Sequence, residues 1–70
     1  MNLITGLEKI YKCDNVHSVL EIYQEIILGI STRKISVPDS LHTDEVARFL
    51  MNVVEFKITS IIALLLIDEL

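Results

Sequence analysis

An all-α fold, a small bundle of three or four helices completed by self-association, is what this sequence predicts. Three observations carry the expectation. Apolar residues recur at helical spacing through most of the chain. Only two Gly and one Pro interrupt 70 residues. The apolar fraction is 51%, with 27 residues being Ile, Leu or Val. A chain this short buries only about 60% of the surface its unfolded form exposes, so that much apolar surface strains its capacity to hide it. Domains usually run to ~100–150 residues, and one helical domain over 1–70 is therefore expected.

The first helix is expected over about 2–13. Leu3, Ile4, Leu7, Ile10 and Tyr11 fall at i, i+3, i+4 and i+7, with Asn2, Thr5, Glu8, Lys9 and Lys12 between them. Gly6 falls on the polar side of this pattern and lowers helix propensity. Asp14 and Asn15 are both good N-cap residues for a second helix over about 15–31. Its stripe is Val16, Val19, Leu20, Tyr23, Ile26, Ile27 and Ile30, opposite His17, Ser18, Glu21, Gln24 and Glu25. Ser18 with Glu21 also fits a capping box, which would start the helix three residues later. The pattern leaves open whether 2–31 is one bent helix or two. Ile22 and Leu28 lie off the stripe and suit a second contact.

Helical period is lost after Ser31, and 32–42 reads as a linker. Pro38 pushes Val37 toward extended geometry. Asp39, Ser40 and Thr43 are candidate caps, and Asp44 and Glu45 suit a helix N-terminus. From 43 onward there is no Gly or Pro. Val46, Phe49, Val53 and Phe56 make one row, and Leu50, Val54 and Ile61 another. From Ile61 to Ile67 seven consecutive residues are apolar, so every side of a helix there is apolar. Thr59 or Ser60 is a candidate cap for a separate last helix. Helices over about 43–57 and 58–70 are expected, with one continuous helix as the open alternative.

Ten acidic against six basic residues give a net charge of −4. The basic residues Lys9, Lys12, Arg33, Lys34, Arg48 and Lys57 are scattered, whereas nucleic-acid binders concentrate theirs in a patch. No nucleic-acid partner is expected. The longest charge-free window near the C-terminus, Ile58 to Ile67, is ten residues against the ~20 that a spanning helix needs, so no membrane span is expected. The first nine residues lack a basic stretch followed by an apolar run, so no secretory signal is expected. That, with one unpaired cysteine, points to a cytoplasmic protein.

No constellation for catalysis stands out. Cys13 and His17 are spaced i, i+4, and His42 and Glu45 i, i+3, but there is no second Cys and no Cys-x-x-Cys. No bound metal and no cofactor are expected. Cys13 as a nucleophile would need His17 or His42 as base, and a packed thiol is the simpler reading. Glu21 and Glu25 lie on a polar helix face, where carboxylates are ordinarily solvated. No Gly-rich phosphate loop, nucleophile elbow or His-Glu-x-x-His is present. The chain is not expected to be an enzyme.

The remaining class is an interaction protein: a small acidic cytoplasmic binder of inhibitor, antitoxin, immunity or phage counter-defence type. Self-association is expected through Ile58, Ile61, Ile62, Leu65 and Leu66, because two single-stripe helices cover only one side of an all-apolar segment. The partner-facing residues expected are Glu21 and Glu25, for a protein partner with a basic surface. A membrane-associated immunity-type bundle is one alternative. The other starts from Lys34-Ile-Ser-Val-Pro, a short extended run followed by helical stretches. That order resembles ribbon–helix–helix repressors over at most the last 37 residues and implies an intertwined DNA-binding dimer.

Overall fold

Three helices account for most of the chain: α1 (Leu3–Lys12), α2 (Val16–Ser31) and α3 (Thr43–Glu69), in a computed structural model that describes residues 1–69. Asparagine opens the first two. The Asn2 side-chain oxygen accepts from the Thr5 N–H and that of Asn15 from the Ser18 N–H, each at 2.8 Å, satisfying donors that a helix start leaves unpaired. The second helix thus begins after Asn15 and not three residues later. Cys13 breaks the chain between α1 and α2 by leaving helical geometry at φ −67°, ψ 144°.

The buried stripe of α1 is rotated from the one the spacing suggests. Ile4 and Tyr11 are exposed, while Gly6 and Ile10 are buried. The reason is contact distance. A Cβ on Gly6 would stand 2.6 Å from Ile26 Cδ1, so the missing side chain lets α1 lie directly against α2. Gly6 belongs to the core face and not to the polar one. Similarly, Leu20 is exposed and Ile22 packs against the core of α2.

The linker contains structure of its own. Arg33 adopts φ 62°, the left-handed conformation that usually falls to glycine. The Lys34 N–H donates to the Gly29 carbonyl at 2.8 Å and the Arg33 N–H to that of Ile30 at 3.1 Å, the two bonds of a Schellman motif. This folds Ile35 back over Gly29, and Ile35 is 5% exposed. Residues 34–37 form no strand, and one helix follows them instead of two. The order on which the ribbon–helix–helix resemblance rests is absent.

The expected division of 43–70 at residue 58 is corrected as well. α3 runs unbroken for 27 residues. Ser60 does not cap a new helix; its hydroxyl donates to the Lys57 carbonyl at 2.9 Å inside the helix. The proximal part of α3 is the core strut: Leu50, Val53, Val54 and Ile61 join Ile10, Val19, Ile26 and Ile35 in one buried cluster, and Val46 is buried near the helix start. No strand occurs among the described residues, and the fold there is all-helical.

Length mismatch sets the shape. At 1.5 Å per residue α3 is about 40 Å long, against about 15 Å for α1 and about 24 Å for α2. The molecule extends 47 × 19 × 14 Å with a radius of gyration of 13.3 Å. A compact chain of this length would have a radius near 11 Å. Beyond Ile61, every described residue of α3 is exposed.

Candidate functional site

The distal third of α3 is the outstanding surface feature. Ile62, Leu64, Leu65, Leu66 and Ile67 are 47–63% exposed, although six of the seven residues from Ile61 to Ile67 are Ile or Leu. The packing of α1 and α2 against α3 leaves them exposed, and Ile61 is the last buried residue of α3. The five residues expected to mediate self-association are divided by this geometry. Ile61 is buried and Ile58 packs against the same core, so both are used within the chain. Ile62, Leu65 and Leu66 are exposed.

The apolar surface continues back along one edge of α3. Phe49 is 54% exposed and Phe56 68% exposed. The sequence pattern grouped both with Val46 and Val53 in one row, yet only the two valines are buried. Near the start of α3 a shallow groove opens between elements, lined by Leu3, Leu41, Glu45, Val46 and Phe49. The whole molecule exposes 5346 Å². A compact monomer of its 8.0 kDa mass would expose about 4,450 Å², so the surplus is about 900 Å².

The expectation of no membrane span is overturned by α3. Its 27 residues include an 18-residue window of mean hydropathy 2.0, only 22% of it buried, so α3 is long and apolar enough to cross a membrane. The charge-free window at its end understated the segment because the helix does not break between residues 57 and 58. Any 18-residue stretch of α3 includes Glu55 and Lys57, one charge of each sign.

The other singled-out residues are not brought together. Cys13 ends α1 and its thiol donates to the Lys9 carbonyl at 3.1 Å. His17 lies in the first turn of α2, where its Nε2 stands 2.6 Å from Glu21 Oε1 on an open surface. The Cys13–His17 spacing therefore spans a helix break and does not define one helix face. Burial pushes the Cys13 thiol up from its ordinary value, the Lys57 charge opposing and Asp14 adding to the rise. The thiol, rather than the more reactive thiolate, is thereby favoured. The His42 carbonyl accepts from the Glu45 and Val46 N–H groups at the start of α3. Among the described residues no group of three His, Cys, Asp or Glu is placed to hold a metal ion.

Glu21 and Glu25 are both exposed on α2, with Glu21 engaged by His17. Asp68 and Glu69 are exposed at the end of α3. Asp68 shares a shallow groove with Cys13, Asp14, Lys57, Leu64 and Leu65. The surface thus combines an apolar rod with acidic residues at its end and on α2. Comparison of the chain with protein-family models, with curated proteins and with solved structures gives no match.

Proposed function

We propose that this protein works by binding and not by catalysis, using the uncovered apolar surface of α3 to engage another protein surface. The observation that carries the reading is the run from Ile62 to Ile67, exposed on every side of a helix otherwise committed to the core. Contiguous apolar surface on a small chain marks an interaction site more often than a packing defect. Leaving five large aliphatic side chains about half exposed forgoes roughly half of the ~1.5–3 kcal/mol that full burial of each is worth, still a heavy loss for a core this small. A partner surface recovers it. The acidic α2 face with Glu21 and Glu25 gives the same partner, or a second one, an electrostatic approach. A small acidic binder of this kind suits an inhibitor, antitoxin or immunity role in the cytoplasm.

The test is retention of a protein from the native host's extract on immobilised chain, repeated with the double variant Ile62→Ser/Leu66→Ser. Both side chains are exposed, so the fold survives the change. A protein retained in stoichiometric amount by the wild type, and lost with the variant, is expected. Equal retention by both would contradict the reading.

A lipid surface is the second reading, and the length and hydropathy of α3 favour it. The uncovered run from 62 to 67 reaches about 9 Å, enough to enter one leaflet of a ~30 Å hydrocarbon core. Deeper insertion would unpack Leu50, Val53 and Val54 from α1 and α2. Co-flotation with vesicles of phosphatidylcholine and phosphatidylglycerol, lost in the same double variant, selects it.

A further inference from the structure

One set of positions along α3 has a spacing that its own bundle uses only at Val53. Phe49, Val53, Phe56, Ser60, Ala63 and Ile67 are separated alternately by four and three residues, the repeat of a coiled-coil seam. Within the chain only Val53 of the six is buried, and Phe49, Phe56 and Ile67 are 54%, 68% and 63% exposed. The seam begins at the Leu3–Leu41–Phe49 groove and ends in the apolar tip.

We propose that this seam pairs with the same seam of a second copy, antiparallel, so that each apolar tip lies along the Phe49 groove of the other chain. This deepens the binding reading above by naming its occupant. Area supports a second copy: the surplus surface of about 900 Å² matches the ~800 Å² per partner of a standard stable interface. Side-chain size supports the antiparallel sense. With the two-fold axis level with residue 58, Phe56 meets Ser60 of the second copy and Phe49 meets Ile67, while Ala63 lies level with Val53, which is held in its own core. Phe56 thus fills the space above the small Ser60, and the small Ala63 permits close approach at the level of the buried Val53, as interdigitated packing requires. A parallel pair would set Phe56 against its own counterpart and leave gaps at Ser60 and Ala63. It would also place Asp68 and Glu69 beside their like-charged counterparts, whereas opposed helices align each positive N-terminus with a negative C-terminus. The antiparallel arrangement alone brings each tip beside a groove already lined by Leu3 and Leu41. A two-fold contact closes on itself and leaves no further copy to recruit.

The test is a dipolar distance between spin labels on the full chain. One label per chain is attached at Asp68→Cys in a Cys13→Ser background. Antiparallel pairing places residue 68 level with residue 48 of the second copy, about 30 Å away along the helix axes at 1.5 Å per residue. A distance near 30 Å is expected. A distance under about 15 Å would mean parallel helices, and absence of any coupling would mean a monomer; either overturns the proposal. Phe56→Lys supplies the control on a largely exposed side chain. It is expected to abolish the coupling with unchanged helical circular dichroism, and a coupling that survives it also overturns the proposal. A chain that is monomeric in solution but floats with phosphatidylglycerol vesicles assigns the seam to lipid, with the same consequence. A monomer that still retains a host protein would defeat the pairing while leaving the broader binding reading standing.

Discussion

The Lys57 ammonium donates to the Tyr11 backbone carbonyl at 2.7 Å, across 46 positions of sequence. Tyr11 lies in the last turn of α1, where carbonyls have no partner in the helix and the dipole end is negative. A cation supplied from the middle of α3 satisfies both conditions. It also ties the shortest helix to the longest at the level where the bundle ends and the bare part of α3 begins. Lys57 thereby does for α1 what a glycine C-cap does elsewhere, and Cys13 is free to turn the chain.

Replacing Lys57 by Met keeps the aliphatic stem and removes the donor. The tie is solvent-accessible, so the expected loss is about 1 kcal/mol, below the ~1.5–3 kcal/mol of shielded bonds to charged groups. Urea denaturation followed by circular dichroism measures it. A midpoint equal to wild type would mean that the contact contributes nothing.

Arg33 holds a left-handed backbone at φ 62° to close the Schellman motif after α2. Glycine adopts that geometry without Cβ strain but loses more freedom on folding. Arg33→Gly is therefore expected to stabilise by about 0.5–1 kcal/mol, the strain relieved exceeding the added entropy. A lowered melting temperature would show that the Arg33 side chain itself matters more than its backbone.

Gly6→Ala tests the closest helix contact. Alanine is the better helix former by about 1 kcal/mol, so an open site would be stabilised. Here the added methyl would meet Ile26 Cδ1 at 2.6 Å and Cγ1 at 2.8 Å, and Ile26 is fully buried. Overpacking of this kind costs roughly 1–3 kcal/mol, and net destabilisation is expected. A higher melting temperature would mean that α1 shifts outward at little cost.

Glu21→Lys/Glu25→Lys reverses charge on two exposed residues and separates only the open His17–Glu21 pair. Stability is expected to stay within about 0.5 kcal/mol of wild type. Association with a basic-surfaced partner is expected to slow and to lose its salt dependence. An unchanged association rate would remove the α2 face from the binding account.

The helical class and the positions of α1 and α2 are legible because their apolar stripes are regular and Asn15 marks a start. What the pattern hides are contacts set by size. Gly6 carries no hydrophobic signal, so its place at the α1–α2 contact is invisible to periodicity, and the stripe comes out rotated onto Ile4 and Tyr11. Ile35 sits in a polar run, yet an apolar residue just after a helix end is itself the mark of a Schellman cap. The continuity of α3 was obscured by Thr59 and Ser60, which are caps by residue type and helix-interior residues in fact. Phe49 and Phe56 share a row with Val46 and Val53, yet only the valines are buried, because helical spacing does not say which members of a row turn to the bundle.

Molar mass in solution tests the account most directly, because the uncovered face of α3 is explained only if something covers it. Sedimentation equilibrium over a wide concentration range is expected to give twice the 8.0 kDa chain mass, falling to that of one chain in Phe56→Lys with its helix content retained. A folded wild-type protein that sediments as a single chain at every concentration, with a cooperative melt, would contradict the pairing of α3 with a second copy.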